Sequence, residues 1–120
     1  MAYTATHKYA RISPRKVRAL ADLVRGKFAD EALDILRFQP HRGARMLEKV
    51  IKSALGNAEH QQAPGVDDLV VVDARIDGGP MFKRIRPRAR GMAFGIKRRM
   101  SHIKVKLDSV SPDTTAPAAE

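Results

Sequence analysis

The chain contains no cysteine and no tryptophan. Without thiols there is no disulfide scaffold, no thiolate metal site and no cysteine nucleophile. No apolar run approaches the ~18 residues that a membrane-crossing helix requires. Residues 1–10 are polar and lack the apolar centre of a signal peptide. The sharpest absence is local: no Asp or Glu stands between Gly78 and Leu107. The same stretch holds Lys83, Arg84, Arg86, Arg88, Arg90, Lys97, Arg98, Arg99, Lys104 and Lys106. Over all 120 residues there are 23 Lys+Arg and 13 Asp+Glu, a formal +10. Outside the acid-free stretch, 13 basic and 13 acidic residues balance, so the whole net charge belongs to one segment. A solvated face normally mixes both signs, because like charges repel. Ten uncompensated cations destabilise a compact monomer unless an anion neutralises them. The expectation is a small, soluble, intracellular basic domain whose partner is a polyanion, nucleic acid above all.

What is present arranges itself into a core and an arm. Residues 2–10 alternate weakly, with Tyr3, Ala5, His7 and Tyr9 on one strand face. Ser13-Pro14 reads as a helix N-cap with Pro at the first helical position. Val17, Leu20, Ala21 and Val24 then form one helical stripe, with Arg15, Lys16, Arg18 and Arg25 mostly off it, and Gly26 stops the helix. A second helix is expected over residues 29–38, with Ala32, Ile35 and Leu36 inward. A third is expected over 41–60, with Ala44, Leu47, Val50, Ile51, Ala54, Leu55 and Ala58 as its stripe. Residues 61–68, containing Pro64-Gly65, form a loop.

Residues 69–76 are rich in β-branched side chains, with Val70, Val72, Ala74 and Ile76 on one face. Ser101, Ile103, Val105 and Leu107 alternate with Met100, His102, Lys104 and Lys106, a strand apolar on one side and basic on the other. These two runs are the feet of an antiparallel hairpin over about residues 69–108, with strands near 69–82 and 95–108 and a tip near 84–95. At ~3.3 Å per residue its arms reach roughly 45 Å, against a radius of gyration of ~13 Å for a domain of this size. The hairpin therefore protrudes. Pro80 and Pro87 remove ladder donors and the outer half lacks core alternation, so the tip is expected to order against a partner. Phe82 and Phe94 either stack on bases or pack on each other. The predicted fold is α+β: three helices packed on a small antiparallel sheet with a long protruding β-hairpin, residues 1–108 making one domain and 109–120 a disordered tail.

Nothing argues for an enzyme, and no catalytic residue, metal ligand or cofactor is assigned. His7, His41, His60 and His102 show no zinc-like spacing. Asp73 and Asp77 share a strand face about 13 Å apart, too far for a mononuclear metal. Gly78-Gly79-Pro80 is no Walker loop. Basic β-arms that grip a DNA minor groove are the alternative reading, with Pro87 as a wedge.

Three blocks carry a resemblance. FKRIRPRARGMAFGIKRRMSHIKVKL (82–107), RISPRKVRALADLVRGK (11–27) and EKVIKSALGNAEHQ (48–61) are similar to the signature blocks of the large-subunit ribosomal protein L-twenty-two family, in order and spacing, across about residues 5–108. The compact length resembles the bacterial or organellar form. The resemblance implies a structural constituent of the large ribosomal subunit that bridges large-subunit rRNA domains during assembly. The body would sit near the peptide exit beside neighbouring ribosomal proteins, and the hairpin tip would line the nascent-peptide tunnel close to the extension of ribosomal protein L-four. The chain would be a monomer within a cytoplasmic or organellar ribosome, away from any membrane. Carried over by position, the rRNA-contacting residues are Ser13, Arg15, Lys16 and Arg18 at the first helix, with Arg25 on the same helix. On the hairpin they are Lys83, Arg84, Arg86, Arg88, Arg90, Lys97, Arg98, Arg99, His102 and Lys104. The tunnel-lining tip comprises Arg86, Pro87, Arg88, Ala89, Arg90 and Gly91. Met92, Gly95 and Met100 depart from the family pattern and receive no RNA contact.

Overall fold

The computed structural model describes residues 3–62, 65, 68–87 and 89–109. The elements run β1 (Tyr3–Ala10), α1 (Pro14–Val24), α2 (Ala29–Arg37), α3 (Arg42–His60), β2 (Leu69–Pro87), a short 3-10 turn (Ala89–Gly91) and β3 (Ala93–Ser109). The three strands are antiparallel in the order β1-β3-β2, so β3 is central. This is the expected α+β arrangement of three helices, a small sheet and a long hairpin.

The helices form where the apolar spacing placed them. Val17, Leu20, Ala21 and Val24 of α1 are buried, as are Ala32 and Leu36 of α2, whereas Ile35 is only partly so. In α3, Ala44, Leu47, Val50, Ile51, Ala54 and Ala58 are buried and Leu55 packs at the edge. α3 lies against β1 and β3, and α1 against β2. Their stripes meet Ile103, Val105 and Leu107, all fully buried on the central strand. At the junction of β1 and α1, the buried Ser101 hydroxyl donates to the Ile12 carbonyl at 2.6 Å, satisfying a group that the sheet cannot reach.

Both edges of the sheet are closed by side chains from helices. The Asn57 amide of α3 donates to the Thr4 carbonyl at 2.8 Å on β1. On β2, the Arg25 guanidinium donates to the Ala74 carbonyl at 3.0 and 2.6 Å, and that of Arg18 to the Ile76 carbonyl at 3.2 and 3.1 Å. An open strand edge invites pairing with another chain, and these bonds occupy three of the acceptors that would do so.

The expected strand faces need correction at three bulges. On β1, Tyr3, Ala5 and His7 share the expected face, opposite Leu107, Val105 and Ile103, although His7 is exposed, and the exposed Tyr9 leaves that face. The register shifts between His7 and Ala10, with Tyr9 at φ 60°. On β2, the register shifts between Val71 and Asp73. Leu69 and Val71 therefore join the core before the bulge, and Ala74 and Ile76 after it, leaving Val72 exposed. One inserted residue exchanges the two faces of a strand, which a plain alternation of period two cannot anticipate. A third shift falls between Gly78 and Met81. There Gly79 sits so close to the Met100 carbonyl and the His102 ring that a Cβ would lie 3.3 Å from each.

The hairpin is longer and more regular than expected. Pairing continues from Met81↔Arg99 out to Pro87↔Ala93, because Pro87 occupies the last rung and Pro80 lies within a bulge. The molecule measures 65 × 27 × 24 Å with a radius of gyration of 17.4 Å, well above the ~13 Å of a compact chain of this size. At the tip, Arg90 (φ 64°) and Gly91 (φ 70°) both take left-handed backbone to reverse the chain. Ser109, assigned to the tail from sequence, pairs with Leu69. The rest of that tail, residues 110–120, lies outside the described residues, as do Pro64 and Arg88.

Two outcomes follow from this packing. Leu107 is fully buried and faces Tyr3 on one side and Val71 on the other, so Leu107→Ala is expected to lower unfolding stability by about 2–5 kcal/mol in denaturant melts. No described residue from Gly79 to Arg99 is buried. Replacing residues 82–98 by Asn-Gly, which joins the paired Met81 and Arg99 through a tight hairpin turn, is expected to preserve cooperative thermal unfolding. Loss of the transition would refute the division into body and arm.

Candidate nucleic-acid interface

The arm's register sorts its side chains into two faces. Phe82↔Arg98, Arg84↔Ile96 and Arg86↔Phe94 share one face, and Lys83↔Lys97, Ile85↔Gly95 and Pro87↔Ala93 share the other. Phe82 and Phe94 are thus separated by four rungs and are not cross-strand partners, so the ladder does not pair the two rings. Each is placed opposite an arginine instead, and the Arg84 guanidinium lies 5.0 Å from the Phe82 ring centroid. Lys83 and Lys97 stand directly opposite one another, an unfavourable like-charge pair. Ile85 is 75% exposed, and Met81, Phe82, Met92 and Phe94 are exposed as well. Cations interleaved with exposed apolar and aromatic surface match a partner that offers phosphates and base faces together.

The body uses several of its cations internally. Among the described residues, ion pairs join Asp22 to Arg25, Arg37 to Asp34 at 3.7 Å and Arg75 to Asp73 at 3.8 Å. Glu48, buried on α3, faces Arg45 at 2.8 Å and Lys52 at 3.9 Å. Arg45 also donates to the Leu36 carbonyl, to that of Arg37 at 3.1 Å and to that of Gln39 at 2.6 Å, closing the C-terminal end of α2. Arg45 therefore belongs to the fold.

Other cations converge where the arm leaves the body. An open cleft of about 510 Å³ is lined by Arg11, Ile12, Ser13, Lys16 and Arg42 from the body, and by Phe82, Arg84, Lys97, Arg98, Arg99 and Met100 from the arm. Seven of these residues are basic and none is acidic. Ser13 holds the N-cap position of α1 and His41 that of α3, yet neither makes a side-chain cap bond and neither helix has an acid in its first turn. The positive ends of two helix dipoles therefore add to the same field.

The candidate residues fall into separate groups. Ser13, Lys16, Arg84, Lys97, Arg98 and Arg99 meet in the cleft. Lys83 stands beside the cleft opposite Lys97, Arg86 and Arg90 lie further out along the arm, and Arg15 and Lys104 are exposed on α1 and β3. Arg18 and Arg25 are turned onto the β2 carbonyls. His102 accepts the Tyr9 amide at Nδ1 at 3.1 Å, with the two rings edge to face at 5.0 Å. Of the proposed tip, Arg86, Pro87, Ala89, Arg90 and Gly91 are described and Arg88 is not. Two cleft residues, Arg11 and Arg42, were not among the candidates. Arg11 opens the first sequence block and was open to selection there. Arg42 has no local signal; its guanidinium donates to the Arg11 carbonyl across 31 positions of sequence.

Among the described residues no helix is long and apolar enough to cross a membrane, and no three His, Asp or Glu side chains group to hold a metal ion.

Comparison with known proteins gives a consistent result. The family model described as ribosomal protein L22p/L17e matches residues 5–108. Large ribosomal subunit protein uL22 of Rhodopirellula baltica is 65% identical over 113 residues, covering 90% of this chain and 95% of the relative. The protein of the same name from Caldicellulosiruptor saccharolyticus is 57% identical over 104 residues, covering 87% of this chain and 85% of the relative. That from Desulfotalea psychrophila is 56% identical over 104 residues, covering 87% and 94%. With its three-stranded sheet, its long basic hairpin and a match over nearly all its length, the chain belongs to the ribosomal protein L22p/L17e family.

Proposed function

We propose that this chain is a structural constituent of the large ribosomal subunit that binds and bridges segments of large-subunit rRNA, with its arm as the bridging element. The observation that carries this reading is a paired, acid-free arm that holds eight of the ten basic residues between Gly78 and Leu107 and buries none of its described side chains from Gly79 to Arg99. Neutralising phosphates from separate RNA segments on both faces of one arm removes two repulsions together, that between the RNA segments and that within the arm. Ser13, Arg15, Lys16, Lys83, Arg84, Arg86, Arg88, Arg90, Lys97, Arg98, Arg99 and Lys104 contact RNA, joined by Arg11 and Arg42. Arg18, Arg25 and His102 reach RNA with whatever donors their contacts within the protein leave over. The narrow tip, Arg86 to Gly91, is thin enough to enter a tunnel wall and meet a nascent chain, while the body rests near the exit against neighbouring proteins, as a monomer. The bacterial relatives support a cytoplasmic ribosome. Family membership favours rRNA over the duplex DNA of the alternative reading.

The test is the salt dependence of binding to large-subunit rRNA. Replacing Arg84, Arg86, Arg88 and Arg90 by Ala is expected to make the log–log salt slope shallower by roughly 3, since each phosphate contact contributes about 0.7–0.9. The melting temperature should stay within a few degrees, because the described members of this set are exposed. An unchanged slope, or equal affinity for duplex DNA, would reject the proposal.

A further inference from the structure

The cleft at the root of the arm has two walls that share a sign of charge. Arg11, Lys16 and Arg42 line the body side. Arg84, Lys97, Arg98 and Arg99 line it from the arm. With no acid in the lining, the walls repel. The sheet also thins at this point. The bulge on β1 between His7 and Ala10 and the bulge on β2 between Gly78 and Met81 both fall opposite Met100 to His102 of β3. Beyond Ala10, β1 ends and only two strands continue. The Tyr9 amide bonded to His102 at 3.1 Å is one tie across this collar. A volume of about 510 Å³ is ample for a ligand. A lining that is mostly charged, with the unacidified N-termini of α1 and α3 beside it, excludes an apolar one.

We propose that this junction is a phosphate seat, in which successive phosphodiesters of one single-stranded RNA segment lie against body and arm together, and that filling it fixes the direction of the arm. The inference rests on the rRNA reading and adds to it a location and a consequence. An anion between the walls turns their repulsion into a shared attraction, and each orientation of the arm that breaks this bridge loses contacts on one side. Binding therefore selects one arm direction from those that the thinned collar allows. RNA then orders the long lever from its root, before the distant tip engages.

The native chain has no cysteine, so spin labels attach cleanly to the variant Lys52→Cys, Ile85→Cys, which marks one exposed site on α3 and one on the arm. The distance distribution between the labels is recorded with tripolyphosphate, with a short single-stranded oligouridylate, and with potassium chloride at matched ionic strength. Both phosphate probes are expected to narrow the distribution and the chloride to leave it broad. Calorimetry should show Lys16→Ala and Lys97→Ala each weakening both probes by about tenfold, the scale of one lost charge-assisted hydrogen bond, and Lys49→Ala, an exposed α3 site away from the cleft, changing them less than twofold. Circular dichroism checks that the variants remain folded. Binding without narrowing overturns the fixing of the arm. Equal losses in Lys49→Ala, or none in Lys16→Ala and Lys97→Ala, overturn the seat. Tripolyphosphate binding that the oligouridylate does not share would assign the cleft to a free phosphate anion instead. Large-subunit rRNA binding measured alongside separates the two ideas: if it persists unchanged in Lys16→Ala and Lys97→Ala, only the seat fails, and if the unaltered protein shows no preference for that rRNA, the reading beneath it fails.

Discussion

A single continuous strand serves two structures with opposite needs. Over Ser101 to Leu107, β3 is flanked by strands on both sides and covered by helices, and Ser101, Ile103, Val105 and Leu107 are fully buried. From Ala93 to Arg99 the same strand has one neighbour and no cover. The arm is what remains of the sheet once β1 has ended and the helices have run out. Its direction is inherited from the core strand, while the register shifts between Val71 and Asp73 and between Gly78 and Met81 set which basic residues stand opposite each other outside the body.

Arginine plays two parts in this fold, and the distinction is one of available acceptors. Arg18, Arg25 and Arg45 lie within reach of backbone carbonyls that sheet and helix leave unpaired, and their planar forks close a strand edge or a helix end. These contacts are local neutral-acceptor bonds and hold regardless of any partner. The arginines of the arm have few such acceptors. Their cross-strand partners are aromatic or aliphatic side chains, which offer no anionic acceptor. A family whose relatives are named as ribosomal proteins supplies a setting dense in phosphate.

The junction between these regimes is where sheet irregularity and charge coincide. Two bulges on opposite sides of β3 bring the β1–α1 loop and the root of the arm together. Gly79 allows the close approach against Met100 and His102 that a side chain would obstruct. Arg42 arrives from α3 and braces the Arg11 carbonyl. Three stretches distant in sequence thus build one basic recess with the paired strands as its outer wall.

Much of the architecture was readable along the chain. The stripes of α1 and α3 declared themselves because a helix repeats its buried face every three or four residues, and the alternation at residues 101–107 because one face of that strand is wholly in the core. The segregation of charge into the segment from Gly78 to Leu107 is a property of order in the chain and needs no coordinates. What the chain order left open depended on register. Val72 was placed on one face with Ala74 and Ile76, and Tyr9 with Ala5, because bulges leave no mark in a hydropathy pattern. Arg18 and Arg25 looked equivalent to Lys16 until α1 was laid beside the carbonyls of β2. Composition and periodicity therefore determined the kinds of element and the existence of a cationic arm, since both act over a few neighbouring residues. Only the tertiary structure decided which cations answer to the protein's own backbone and which gather at the cleft, because that sorting follows from strand pairing across tens of residues.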